Sequence, residues 1–301
     1  MISVCIPVYN VEMLPLLRQL QQQLKEQDTP VEIVCIDDAS DEIIRQKNRA
    51  ECHSLACWVE LEQNIGRARI RNLFPEYALY EYLLFLDCDG LIPSADFLKN
   101  YIDFLSLHKT SVVCGGRIFP NKKPPRNCRL RWKYGREMES KQAIVRNQNP
   151  NKSFMTNNFV IQKDLFQHVK FDERLSGYGH EDTLFGYQLR EQNISVSHLE
   201  NPILNGDMET NSEFLRKTER GIQNLYSVLS ITDFQKDFTE EIALLKSYYK
   251  LKKSGILPLF QFFFILKKSF IRYILKLGYT NMKLFSIYKL GLFSEVAASK
   301  K

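Results

Sequence analysis

The sequence lacks most of the local signatures by which nucleotide and metal sites are recognised. No Gly-x-Gly-x-x-Gly follows its first apolar run, which removes the main support for a nicotinamide dinucleotide site, and no Gly-Lys-Ser/Thr loop supports a nucleoside triphosphatase. The seven cysteines form no Cys-x-x-Cys pair and no zinc-like spacing, and their count is odd. They read as reduced thiols, several on apolar strands, which favours a reducing, cytoplasmic compartment. No apolar run reaches the roughly 18 residues that a spanning helix needs, and a strand starting at residue 2 leaves no room for a signal peptide. Internal repeats and low-complexity tracts are absent.

What is present fits an ordinary globular chain. Its 301 residues suffice for one large α/β domain with an appendage, or for two small domains. Charge is unevenly spread: residues 246–301 hold 12 Lys and Arg against the single acid Glu295, while residues 1–245 hold 29 basic and 34 acidic side chains. Basicity therefore belongs to a tail that is also rich in phenylalanine, so no nucleic acid is expected as a partner.

Residues 2–7 form a β-rich run that stops at Pro7, and Leu14, Leu17, Leu20 and Leu24 then mark an amphipathic helix. Val31–Ile36 predicts a second strand, after which Ser40 can cap the next helix. A third strand is expected at 57–61, then a helix carrying Arg67 and Arg71 on one face, then the strand Tyr82–Leu86. Strands alternating with helices predict an α/β fold with a mainly parallel, doubly wound sheet. A helix to Leu107 and a strand at 111–116 follow. Residues 120–153, rich in Pro, Asn, Lys and Arg, predict a long, partly mobile loop that covers a site. Further strands are expected at 155–161 and 194–199, a helix at 183–192, and helices over 211–252.

The apolar run at 82–86 ends in Asp87-Cys88-Asp89-Gly90. Ligands of open α/β sheets sit beyond the carboxyl ends of the strands, and two carboxylates there make a hard-oxygen site for a divalent cation shared with a substrate phosphate. The same residues also suit a turn that caps the following helix. Asp37 and Asp38 end the second strand in the same manner, so a cation could neutralise a nucleotide diphosphate without a glycine cradle.

Taken in order, Ser3-Val4-Cys5-Ile6-Pro7-Val8-Tyr9-Asn10, Glu32 to Ser40, Asn64-Ile65-Gly66 with Arg71-Asn72, Phe85 to Asp89, and Gly177-Tyr178-Gly179-His180-Glu181-Asp182 resemble the family 2 glycosyltransferases over about residues 1–220. The resemblance implies a GT-A fold and inverting transfer of a sugar from a nucleotide diphosphate donor, usually a UDP-sugar. It implies a donor site of Pro7, Tyr9, Asn10, Asp37, Asp38, Asn64, Gly66, Arg71, Asp87 and Cys88. It further implies a DXD metal site for Mg²⁺ or Mn²⁺, with Asp89 as direct ligand and Asp87 beside it. Tyr178, Gly179, His180 and Glu181 would meet the acceptor, and Asp182 would be the general base. One departure is visible. Where related sequences often place a metal-binding histidine, this one has Asn205-Gly206-Asp207, so Asn205 or Asp207 would substitute with oxygen. His198 nearby reads as structural.

On this reading residues 1–220 are the catalytic domain, with a nucleotide-sugar half at 1–115 and an acceptor half at 116–220. Residues 221–301 would be a helical extension. Its stretch Ile256–Leu266, flanked by Lys252-Lys253 and Lys267-Lys268, is too short to span a bilayer, and it reads as lying in the headgroup layer of an anionic membrane or as an oligomer interface. The expected enzyme is thus peripheral on the inner face of the cell membrane, adding a sugar to a glycan or lipid-linked acceptor in surface polysaccharide assembly. The rival readings are a nucleotidyltransferase, which would want a glycine- and Arg/Lys-rich loop after the first strand, and a non-catalytic sugar-nucleotide-binding scaffold.

Overall fold

The computed structural model describes residues 1–299 except Ser54, Ser176, Asp207 and 232–235. In chain order it contains β1 (Ile2–Val8), α1 (Leu14–Leu24), β2 (Val31–Asp37), α2 (Glu42–Cys52), β3 (Cys57–Glu60), α3 (Arg67–Tyr77), β4 (Tyr82–Leu86), β5 (Gly90–Leu91), α4 (Phe97–Leu107), β6 (Val112–Cys114) and β7 (Arg117–Ile118). Then come α5 (Arg129–Tyr134), α6 (Ala143–Arg146), β8 (Asn158–Gln162), α7 (Lys163–Val169), α8 (Glu181–Glu191), β9 (Ser197–His198), β10 (Ile203–Asn205), α9 (Asn211–Ile231), α10 (Lys236–Glu241), α11 (Ala243–Lys253), α12 (Leu257–Lys276) and α13 (Met282–Ser299).

The chain separates into two compact units. The first holds Met1–Pro120, Glu139–Glu173 and Glu181–Asp207 and is built on a seven-stranded sheet of order β3-β2-β1-β4-β8-β6-β9. β3, β2, β1 and β4 run parallel, as the strand–helix alternation requires, and β8 enters antiparallel between β4 and β6. Side-chain alternation along each strand feeds two cores. Val4, Ile6, Leu84 and Leu86 face one side with Leu17 and Phe97, while Cys5, Val34, Leu83 and Phe85 face the other with Phe74 and Phe159. The Phe85 and Phe159 rings stack at 4.9 Å between centroids, locking the antiparallel β8 into register with β4. A smaller sheet, β5-β10-β7, branches from the ends of the large one.

The second unit holds Asn121–Met138, Arg174–His180 and Met208–Lys301. It is helical: α12 and α13 pack as neighbours, with Phe264 against Tyr288 at 6.2 Å, and Phe285 meets both Tyr134 and Phe214. Residue 220, taken from the sequence as a boundary, lies inside α9.

Three local expectations are corrected. Ser40 does not cap α2. Asp41 precedes that helix, and the Ser40 hydroxyl instead accepts a hydrogen bond from the Asn10 N–H at 2.9 Å. The span 120–153 is not a long loop but a chain of short helical turns, comprising α5, α6 and turns at 126–128, 135–139 and 151–153. Composition hid them because they are held by non-local bonds. Arg146 donates to the carbonyls of Lys141, Cys114, Gly115 and Leu199, and Asn211 Oδ1 accepts from the Leu130 N–H. The last strand of the large sheet is only Ser197–His198, short of the expected 194–199.

Candidate active site

Parallel strands deliver the donor-side residues to one edge of the sheet. Val8 pairs with Asp37 in register, and β4 stops at Leu86, immediately before Asp87. The loops beyond these ends are tied to each other. Asn10 and Ala39 both sit at positive φ, 53° and 58°, a conformation that costs non-glycine residues on the order of 1 kcal/mol and persists only when over-determined. Here the fixing bonds are Asn10 N–H to Ser40 Oγ, Asp41 N–H to Asn10 Oδ1 at 2.7 Å and Ser40 N–H to Asp37 Oδ1 at 2.8 Å. Asp37 is buried, and its second oxygen, Oδ2, has no hydrogen-bond partner among the described residues. A buried carboxylate oxygen left this way is an acceptor awaiting a donor.

Asp38 closes the neighbouring loop. Its carboxylate accepts the N–H groups of Ile65 and Gly66 at 2.7 and 3.1 Å, and Asn64 Nδ2 donates to its carbonyl oxygen. Burial pushes the Asp38 carboxyl up, and those two N–H groups oppose the shift. Asn64 and Gly66 therefore hold the loop after β3 against Asp38. Pro7 is half-buried on β1, Tyr9 is exposed beyond it, and the Cys88 thiol is pushed up to about 12 by burial and then by Asp89 and Asp87, so it stays protonated.

Asp87 and Asp89, two residues apart, have different surroundings. Asp87 is ringed by guanidinium groups: Arg71 at 2.9 Å, Arg117 at 3.6 Å and Arg67 at 3.9 Å. Burial alone would raise its carboxyl, but Arg71, Arg67 and Arg117 outweigh burial and hold it below the usual carboxylate value. Asp89 makes no ion pair among the described residues, and burial followed by repulsion from Asp87 pushes its carboxyl up. A cation would relieve that penalty. Asn205 of β10 lies opposite Gly90 of β5, beside Asp89, and a Cβ at Gly206 would fall 2.8 Å from the Asp89 carbonyl oxygen. An all-oxygen set of Asp89 and the Asn205 amide suits Mg²⁺ or Mn²⁺. No group of three His, Cys, Asp or Glu side chains forms a metal cage among the described residues, and Asp207 lies outside them.

The acidic pair opening α8 joins the same cluster. Arg67 Nε reaches Glu181 Oε1 at 3.0 Å, so one arginine contacts both Asp87 and Glu181. Glu181 Oε2 is buried without a hydrogen-bond partner among the described residues. Asp182 follows, its Oδ1 accepting the Thr183 N–H at 2.7 Å, and its carboxyl is pushed up to about 6 by burial and then by Glu181. A carboxylate tuned to that range is suited to taking a proton near neutral pH. Tyr178, Gly179 and His180 belong to the second unit, where the Lys217 ammonium sits 5.4 Å over the Tyr178 ring and both Gly179 and His180 have positive φ.

The sequence did not point to Arg117, Glu139 or Arg146. Arg117 follows Gly115-Gly116 at the end of β6, and Gly116, at φ +91°, turns the chain so that Arg117 pairs with both Asp87 and Glu139. A cation directly after a glycine pair at a strand end was the available signal. His198 is structural, as its composition suggested. Arg146 donates to its Nδ1, Nε2 lies 2.8 Å from the Pro150 carbonyl, and burial lowers its pKa to about 4.

Comparison with known proteins agrees with this architecture. The chain belongs to glycosyl transferase family 2, whose profile matches residues 3–169; α8 and its acidic pair lie beyond the matched stretch. It is a glycosyltransferase with a GT-A-like fold. Similar solved structures include mannosyltransferase PcManGT from Pyrobaculum calidifontis in complex with GDP-Man and Mn²⁺, 16% identical over 99% of this chain and 86% of that one, with a TM-score of 0.57. S. aureus TarS 1-349 is 18% identical over 99% and 90% of the two chains at 0.53. Glucosyl-3-phosphoglycerate synthase from Mycobacterium tuberculosis, in complex with Mn²⁺, UDP and phosphoglyceric acid, is 16% identical over 75% and 78% at 0.51. No curated protein sequence matches.

Proposed function

We propose that the protein transfers one sugar, with inversion, from a UDP-sugar to a hydroxyl of a glycan or lipid-linked acceptor, using Mg²⁺ or Mn²⁺, in the assembly of a surface polysaccharide. The carrying observation is the position of Arg67, which contacts Asp87 on the strand-end side and Glu181 beside Asp182 on the other. Inversion needs a base on the face opposite the leaving group, and this arrangement keeps the two sets of carboxylates separate but fixed to a common guanidinium.

In the reading that follows, Asp37 Oδ2 accepts from the nucleotide base or ribose, and Pro7, Tyr9 and the Asn10–Ser40 loop line that pocket. Arg71 and Arg117 hold Asp87 ionised and oriented toward the donor. Asp89, with Asn205, would hold the cation, which when bound neutralises charge on the departing diphosphate. Asp182 takes the proton from the acceptor hydroxyl as the new glycosidic bond forms and the bond to the diphosphate breaks. The nucleotide-bearing complexes of the similar folds support a nucleotide-sugar donor by analogy, and the seven free cysteines support a cytoplasmic location.

The test is turnover of a panel of nucleotide sugars with Mn²⁺, followed by proton NMR of the transferred anomeric centre. One UDP-sugar should be consumed well above the others and the product anomer should be inverted. A retained configuration would refute the base role of Asp182, and no consumption of any donor would favour a non-catalytic scaffold.

A further inference from the structure

α12 carries two apolar faces, and the second unit's own helices account for only one. Phe264, Ile271 and Leu275 are buried, and that side is fastened by Gln261 Nε2 to the Ser294 carbonyl at 3.0 Å, Lys268 to Glu295 at 2.6 Å and Arg272 to Glu219 at 2.8 Å. Gly291 of α13 is the counterpart, since any Cβ there would collide with the Phe264 ring. The other face presents Leu259, Phe262, Phe263, Leu266, Phe270 and Tyr273, spaced three or four residues apart except for one adjacent pair, and each is between 53% and 66% exposed. A helix facing water places polar residues there. A stripe of large apolar side chains in their place marks an interaction surface.

Cations stand at both ends of this stripe. Lys252 and Lys253 end α11 and are exposed where the chain bends by 119° into α12. At the far end, Asn211 Nδ2 donates to the carbonyls of both Lys276 and Arg126, at 3.1 and 3.0 Å. That bond brings the exposed segment carrying Lys122, Lys123 and Arg126 to the C-terminus of α12. The segment has no acid between Asn121 and Arg136. The single acid of residues 246–301, Glu295, is taken by Lys268.

We infer that this face of α12, with the cations of 122–126 and 252–253 at its two ends, seats the protein on an anionic bilayer surface. No single helix among the described residues is long and apolar enough to cross a membrane, and the buried stripe of α12 is committed to its own unit. The helix can therefore lie in the interface with one side immersed about 5–10 Å. Charge selects the occupant. A second copy placed face to face would bring the cationic ends together or against neutral surface, whereas anionic headgroups satisfy both ends at once. The inference is independent of the donor chemistry and survives its failure.

Vesicle co-sedimentation of the full chain is the test. Wild-type protein should bind vesicles of 30% phosphatidylglycerol in phosphatidylcholine at least about tenfold more tightly than pure phosphatidylcholine, and raising salt from 0.05 to 0.5 M should erase most of the difference. The variant F262S/F263S/F270S, on the outward face, should lose binding to both, with its helical circular dichroism retained. Should it unfold, K122Q/K123Q/K252Q/K253Q serves instead and should abolish only the anionic preference. Equal binding of wild type to neutral and anionic vesicles overturns the proposal. So does a salt-insensitive dimer in sedimentation that either variant dissociates, which would assign the face to a second copy.

Discussion

In the sheet-built unit Arg71 is 2% exposed and bonded to Asp87, while in the helical unit Lys252 and Lys253 stand in water beside side chains as apolar as Phe262, 59% exposed. Around Asp87 the sheet-built unit buries its charges, whereas on the outer face of α12 the helical unit leaves its phenylalanines exposed. Burying Arg71 lowers its own pKa through desolvation, and the Asp87 carboxylate, with a smaller contribution from Glu181, opposes that cost. Such pairs are kept where a geometry must be fixed. Lys252, Lys253 and the exposed aromatics of α12 face solvent rather than a packed core. If the outer face of α12 seats the chain on a bilayer as inferred above, mutations around Asp182 and on that face should each leave the other's readout untouched.

The largest expected effect is in the buried cluster. Asp182→Asn keeps the shape and the bond from the Thr183 N–H but cannot accept a proton, so kcat should fall by about 10²–10⁴-fold while donor affinity and vesicle binding stay near wild type. Retained turnover in the variant would remove Asp182 from the reaction. Next, Asp89→Ala should weaken Mn²⁺-dependent UDP binding by about 100-fold in calorimetry, since loss of even outer partners of a metal typically costs 10–100-fold. Because burial and Asp87 push the Asp89 carboxyl up, the same experiment on wild type should show UDP–Mn²⁺ affinity falling as pH drops and Asp89 is protonated. Affinity that ignores both the mutation and the pH would return Asp87 and Asp89 to turn formers.

How far the fold could be read in advance follows from where its causes lie. The parallel strands were legible as short, apolar-rich runs, most plainly β2 and β4, which end at Asp37 and just before Asp87, a purely local pattern. Asp37 and Asp87 stood out for the same reason, as acids abutting apolar segments, whereas Asp182 was reached through the resemblance of the glycine–acid cluster at 177–182 to the family's acidic motif. The turns of 120–153 were not legible, because what stabilises them is Arg146 bonded to carbonyls 31 to 53 residues away and Asn211 bonded to Leu130 across 81. Nor was the pairing of Arg67 with Glu181, which joins two motifs 114 positions apart that each looked self-sufficient. The tail's composition announced an unusual surface but not which side of α12 faced out, since Phe262, Phe263 and Phe264 are adjacent and only the last is buried.

Arg146 supplies a stability prediction of intermediate size. Its guanidinium satisfies the carbonyls of Cys114, Gly115 and Leu199 together with His198 Nδ1. Arg146→Met removes the donors and leaves those buried acceptors unpaired, each worth about 1–3 kcal/mol in principle but partly recoverable by water. Chemical denaturation should show a loss of about 2 kcal/mol, and activity should fall because Arg146 anchors the Gly115 carbonyl, two residues before Arg117. A fully stable variant would mean that water replaces the guanidinium.

The smallest expected effect is also the most discriminating. The acid limb of kcat/KM should fall below a pKa near 6, since Asp182 must be unprotonated to act as base and its carboxyl is pushed up to about 6. Burial is the main cause of that rise, Glu181 adds to it by repulsion, and Arg67 opposes it. Arg67→Gln removes a positive charge and should shift the limb to higher pH. Glu181→Gln removes a negative charge and should shift it to lower pH. The double variant should return near the wild-type midpoint, because it deletes both members of one ion pair and leaves the burial cause intact. Steady-state rates from pH 4.5 to 8.5 give all three midpoints. If both single variants moved the limb in the same direction, it would report a group other than Asp182, and the base would have to be sought elsewhere in the cluster.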